Sequence, residues 1–143
     1  MYNAFITDPD LEKNGVILDF GEFRVTIARA GGLNQLYAKV AAEVFRPYKR
    51  AVETLTLSEE QSRKLLAEVY AKAVIKRWEI KDESGAWQAR LVMPDGSTVD
   101  YSPEAVAKLL AAPELADLFN AIIADATKND LFRKELREAE AKN

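Results

Sequence analysis

The strongest constraint on the fold is a long amphipathic helix that begins after Ser58. Ser58 and Gln61 form the S-x-x-Q pattern of a capping box, in which two side chains satisfy free backbone N–H groups at a helix start. Apolar residues then recur at helical spacing as one core-facing stripe: Leu65, Leu66, Val69, Tyr70, Ala73, Val74 and Trp78. The pattern predicts a helix from Ser58 to about residue 79.

A second amphipathic helix precedes it and is predicted to break at Pro47. Its apolar residues also form a single core-facing stripe: Leu33, Leu36, Tyr37, Val40, Ala41, Val44, Phe45 and Tyr48. Proline lacks a backbone N–H, and its ring crowds the preceding turn of a helix. We therefore expect a kink or a helix end near Phe45–Arg46.

Two β-hairpins are predicted around these helices. Val16–Phe20 and Phe23–Ala28 flank Gly21-Glu22, a two-residue loop with the glycine first that is typical of a type II′ turn. Residues 86–101 contain two strand-like runs around "PDGS", which is turn chemistry. The segment "DPDLEKNG" before the first hairpin is interpreted as an acidic surface loop.

The remaining chain predicts helices. Ser102 is a natural N-cap and Pro103 suits the first helical position, so a short helix is expected over about 103–111. Pro113 opens another helix, and a charged helical tail follows over about 133–143. No repeat or linker divides the sequence. We predict one α+β, mainly helical domain over residues 1–143, with an N-terminal β-hairpin, two long amphipathic helices, a second β-hairpin and C-terminal helices.

The residue types argue against catalysis. The chain has no cysteine and no histidine, which removes the commonest nucleophile–base pairs and the commonest zinc ligands. No P-loop or dinucleotide fingerprint is present, and the acidic loop lacks the calcium-binding pattern. Gly31-Gly32 is interpreted as a turn between strand and helix, although a helix start beside Arg29 could hold an anion. We expect no enzymatic activity, no metal and no cofactor.

No signal peptide is predicted, because the start "MYNAFITDPD" has no basic n-region and no apolar h-region. No membrane span is predicted either, because no apolar run approaches the roughly 20 residues that a span needs. We therefore expect a cytoplasmic protein.

Charge is distributed unevenly along the chain. Residues 24–50 carry six bases against Glu43, whereas residues 1–23 carry one lysine against five acidic residues. Lys39, Arg46 and Arg50 lie near one side of the first long helix. Three interpretations stay open: a solvated helix face, a nucleic-acid patch, or a docking surface for an acidic partner. The acidic whole chain, with an isoelectric point near 5.2, disfavours nucleic acid.

Several segments resemble, in order and spacing, the tail assembly chaperones of long-tailed bacteriophages, small proteins encoded before the tape measure gene and also called minor tail proteins. The similar segments are "IARAGG" with Asn34 and Tyr37, "RPYKR", "LAEVYAKAVIKRWE", "PELADLF" and "AEAKN". They span nearly the whole chain. The most specific are Arg29–Asn34, Glu68–Trp78 and Pro113–Phe119.

The resemblance implies a non-catalytic scaffolding function in the host cytoplasm. Such a chaperone binds the tape measure protein, promotes assembly of tail-tube subunits around it, and is absent from the mature virion. The uneven charge favours head-to-tail self-association into an open helical array. The family motifs identify no contact residues, and charge alone predicts protein binding by Arg29, Lys39, Arg46 and Arg50. A phage nucleic-acid-binding module and a head–tail connector or completion protein remain alternatives.

Overall fold

The computed structural model describes residues 1–142 and confirms an α+β, mainly helical fold. The charged tail predicted over 133–143 appears as helix α7, Lys134–Lys142, and its last residue, Asn143, lies outside the described part of the chain.

A four-stranded antiparallel sheet forms one layer of the fold. Its strands are β1 Val16–Asp19, β2 Phe23–Ile27, β3 Ile75–Lys81 and β4 Trp87–Gln88, and they are adjacent in that order. The predicted N-terminal hairpin is confirmed. Gly21 has a positive φ of 93° and the Phe20 N–H donates to the Phe23 carbonyl at 2.9 Å, as a tight turn with glycine first requires.

The segment interpreted as an acidic loop is instead a short helix, so that prediction is wrong. Helix α1 spans Pro9–Asn14, and the Asp8 carboxylate accepts hydrogen bonds from the N–H groups of Asp10 and Leu11. Pro9 stands in the first turn, where its missing N–H costs nothing. Asp8-Pro9 therefore begins a helix and does not form a loop.

The first long helix breaks where predicted. Helix α2 spans Gln35–Phe45, a 3₁₀ turn covers Arg46–Tyr48 around the proline, and helix α3 spans Lys49–Glu53. Together with residues 33–34 and 54–55 they form what we call the α2–α3 segment, residues 33–55.

The second long helix begins as predicted but ends earlier. Helix α4 spans Glu59–Ala73, and its capping box between Ser58 and Gln61 is present. The predicted extension to residue 79 is wrong, because residues 75–81 form strand β3. Trp78 lies opposite Val25 of β2 and stacks on Phe23 with ring centroids 5.6 Å apart. Pairing with β2 thus outweighs the helical spacing of these apolar residues.

The second half of the chain follows the predicted order. Strands β5 Arg90–Val92 and β6 Thr98–Asp100 form the second hairpin, while Trp87–Gln88, expected to belong to it, pair with β3. Helix α5, Pro103–Ala111, is capped by Ser102 as predicted. A 3₁₀ turn at Pro113–Leu115 leads into helix α6, Ala116–Thr127, and another 3₁₀ turn covers Asp130–Phe132.

The largest hydrophobic cluster lies where α4, α5 and α6 meet β2 and β3. Its fully buried members include Val25, Ile27, Tyr70, Leu91, Leu109, Leu110, Ile122 and Phe132. Helix α2 packs mainly on α4, where Val40 meets Val69 and Ala73, and its Tyr37 also packs against the largest cluster. The α2–α3 segment is therefore attached to the body mainly through α4.

Candidate protein-binding surface

Arg29, one of the four predicted binding residues, is engaged inside the fold. Its Nη1 donates to Glu12 Oε1 at 2.6 Å, and the Glu12 side chain is completely buried. Glu12 also accepts from the Thr7 hydroxyl at 2.7 Å and from the Leu33 N–H at 3.2 Å. Burial would raise the pKa of Glu12, but the hydrogen bonds from Thr7, Arg29 and Leu33 outweigh it and hold the pKa below its usual value.

The paired glycines turn the chain around this carboxylate. Gly31 and Gly32 have φ values of +114° and +53°. A Cβ on Gly32 would clash with Glu12 Oε1 and lie 2.8 Å from Arg29 Cδ. Asn34, nearly buried, donates to the carbonyls of Arg29 at 2.8 Å and Ala73 at 3.0 Å, and so fastens the turn to the end of α4. The chain's own glutamate thus occupies the helix start beside Arg29, the place that an external anion would need.

Arg24, another cation of the basic stretch, is also paired internally. Its Nε lies 2.8 Å from Glu79 Oε1, and its guanidinium carbon lies 4.3 Å above the Trp87 ring. Arg77 contributes a second ion pair to the same carboxylate at 3.2 Å. The basic surplus of residues 24–50 is therefore smaller at the surface than in the sequence.

The other three predicted residues share one exposed region. Lys39 lies on α2, Arg46 follows α2 directly, and Arg50 lies on α3, and all three are exposed. Lys39 and Arg46 are seven positions apart, which places them on the same side of a helix. Lys49 is exposed beside them. Among the side chains that the structure describes, which exclude those of residues 136 and 140–143, none of these four forms an ion pair.

Large apolar side chains accompany these cations, and the sequence did not predict them there. Leu33, Leu36 and Tyr48 were placed on a core-facing stripe, but each is at least 38% exposed. Helix α4 covers only the part of the stripe around Val40, with Tyr37, Ala41, Val44 and Phe45 partly buried. Val52 and Leu55 are exposed as well. The α2–α3 segment therefore combines basic and apolar surface.

Among the described side chains, no three carboxylates lie close enough together to hold a metal ion. No helix within residues 1–142 is long and apolar enough to cross a membrane.

A family model described as "YdaY prophage protein" matches residues 33–143, more than three-quarters of the chain. The chain belongs to the YdaY prophage protein family. It is therefore a phage-derived protein. No curated protein and no solved structure matches it.

The YdaY match begins at Leu33, the first residue of the α2–α3 segment. It includes Lys39, Arg46 and Arg50 together with the exposed apolar residues of the segment. Arg29, Glu12 and the N-terminal hairpin lie before it. The part of the chain that represents the YdaY family thus contains the candidate surface but not the buried ion pair.

Proposed function

We propose that this protein is a non-catalytic phage tail assembly chaperone, which binds the tape measure protein and promotes assembly of the tail tube in the host cytoplasm. The observation that carries the proposal is the α2–α3 segment, in which unpaired cations stand beside exposed apolar side chains on an acidic chain. Such a surface suits a protein partner with apolar and acidic groups. Membership of a prophage family and the resemblance in order and spacing support a phage assembly function.

Self-association into an open helical array is part of the proposal. The cations of the α2–α3 segment and the net negative charge of the rest of the chain are opposite in sign. A contact between two different surfaces is heterologous and does not close unless its rotation forms a ring. Many copies could then coat one extended tape measure chain.

Co-expression with the tape measure protein of the same prophage tests this function. The chaperone is expected to keep the tape measure soluble and to co-purify with it, and to be missing from finished particles. Tight, steeply salt-dependent DNA binding without a protein partner would instead favour the nucleic-acid-binding module. Detection of the protein in purified virions would favour a connector or completion protein.

A further inference from the structure

Leu55 ends helix α3 in a conformation that leucine rarely adopts. Its φ is +55°, and no other non-glycine residue within 1–142 has a positive φ. The Leu55 N–H donates to Val52 at 3.2 Å and the Thr56 N–H donates to Ala51 at 2.9 Å. These two bonds are those of a Schellman helix end, whose left-handed position glycine or asparagine normally occupies.

The side chain of Leu55 is not buried by the fold. It is 91% exposed, so its position is explained neither by burial nor by backbone preference. A bulky residue in the left-handed region is a strained outlier, and such outliers occur preferentially at functional sites. Its place between the basic helix α3 and the start of α4 presents it at the end of the candidate surface.

A shallow apolar notch lies along the same segment. It has a volume of about 440 Å³ and is lined by Ala42, Phe45, Arg46, Lys49, Val52 and Glu53. The lining combines apolar side chains with two cations and one carboxylate, so its net charge is positive. The carbonyl of Val52, a lining residue, accepts the Leu55 N–H, so the strained residue lies within one helical turn of the notch lining.

We propose that Leu55 and this notch dock an acidic amphipathic helix of the partner protein. An apolar side chain of that helix packs against Phe45 and Val52, carboxylates on its flanks face Arg46 and Lys49, and Leu55 contacts its apolar face. The backbone here is helical and supplies no strand edge, so an extended peptide would gain no ladder of main-chain hydrogen bonds. The inference rests on the proposed function only for the identity of the partner, the tape measure.

The probe is a synthetic amphipathic helix with a leucine stripe and glutamate flanks, titrated into the full-length ¹⁵N-labelled protein. We expect the amide signals of residues 42–55 to shift, and a peptide with lysine in place of glutamate to bind at least tenfold more weakly. Shifts centred elsewhere, equal binding of the two peptides, or no binding of the acidic peptide would overturn the inference.

Leu55→Gly separates binding from folding. Glycine relieves the left-handed strain, so the unfolding midpoint should rise by about 2–4 °C. Loss of the leucine contact should weaken peptide binding about tenfold or more. Val92→Thr, at another apolar residue that is 48% exposed, is the matched control and should bind normally. Unchanged binding by Leu55→Gly contradicts the anchoring role.

Charge reversal supplies the second comparison. Arg46→Glu with Lys49→Glu should abolish binding, while Lys13→Glu with Lys128→Glu makes the same change in net charge on exposed residues away from the notch and should not. Equal loss of binding in both double variants would mean that only net charge matters and would overturn the docking site.

Tape measure fragments are then titrated into the protein in the same way. If the tape measure fragments bind at another surface, the docking inference fails and the proposed function stands. If the synthetic helix binds the notch and no tape measure fragment binds the protein, the docking site stands and the proposed function fails.

Discussion

At the scale of single residues, the carboxylate of Glu12 holds the turn between the sheet and α2 from inside. Three donors converge on it, from Thr7, Arg29 and Leu33. Gly32 leaves the space that the carboxylate fills. The Arg29–Asn34 segment is one of the most specific parts of the resemblance to tail assembly chaperones, and folding explains it. Its arginine and asparagine make internal hydrogen bonds, and its glycine avoids a clash with Glu12.

Gly32→Ala should destabilise the protein more than Gly85→Ala. Both glycines have positive φ, at +53° and +85°, but a Cβ on Gly32 clashes with Glu12 and Arg29 whereas one on Gly85 meets no atom within 4 Å. Alanine adopts the φ of Gly32 more readily than the φ of Gly85. A larger loss of unfolding free energy at Gly32 would therefore come from the clash and not from backbone strain. We expect Gly32→Ala to lose about 1–3 kcal/mol of unfolding free energy more than Gly85→Ala in urea titrations. Equal losses would contradict the close fit.

The ionised form of Glu12 should contribute to the pH dependence of stability. Its pKa in the folded protein lies below the ordinary value of 4.5, so the unfolded chain binds the proton more readily. The contribution is fully present above the unfolded pKa and is lost as pH falls through the folded pKa. Glu12→Gln should therefore reduce the loss of unfolding free energy between about pH 5 and pH 3. Parallel pH profiles for the two proteins would contradict this role.

Arg29 should differ in phenotype from the other three predicted binding residues. Arg29→Met leaves a buried carboxylate without its cation and should lower the unfolding free energy by about 1–3 kcal/mol. Lys39, Arg46 and Arg50 are exposed, so substituting each of them by methionine should change stability by at most about 0.5 kcal/mol. Urea titrations of the four variants measure the difference, and a neutral Arg29→Met would show that its ion pair is dispensable.

At the scale of elements, the sequence predicted the helix starts that depend on capping side chains close by in the chain. The starts of α4 and α5 depend on Ser58 and Ser102, which bond to backbone within the next turn. The end of α4 could not be predicted in this way. Ala73, Val74 and Trp78 continue a helical spacing, and strand β3 forms only because β2, far away in sequence, pairs with it. For the same reason the sequence located three exposed cations but missed the distant partner of Arg29 and the backbone of Leu55.

Substitution of Trp78 tests how much its packing stabilises β3 in the sheet. It is 3% exposed and stacked on Phe23, so Trp78→Ala should lose about 3–5 kcal/mol of unfolding free energy. Trp87→Ala is the matched control, because Trp87 lies at the sheet edge and contributes mainly its contacts with Arg24 and Lys81, worth about 1 kcal/mol. Urea unfolding followed by circular dichroism compares the two variants. A similar loss in both would contradict the central position of Trp78.

At the scale of the whole molecule, the body and the candidate surface are distinct parts. The core joins α4, α5 and α6 to the sheet, while the α2–α3 segment contacts mainly α4 and keeps its cations and several apolar side chains exposed. Changes to this segment should therefore alter association without unfolding the protein. Under the proposed chaperone function, this separation would let the contacts of the segment form and break without disturbing the core.

Sedimentation velocity of the protein co-expressed with its tape measure tests the central claim most directly. The wild-type protein is expected to sediment as a large complex with the tape measure, and the variant with Lys39, Arg46 and Arg50 all changed to glutamate is expected to sediment as a small folded species separate from it. Circular dichroism of the variant provides the folding control. Co-sedimentation of the folded variant at the wild-type level would contradict binding through the α2–α3 segment, and failure of the wild-type protein to co-sediment would contradict the chaperone function itself.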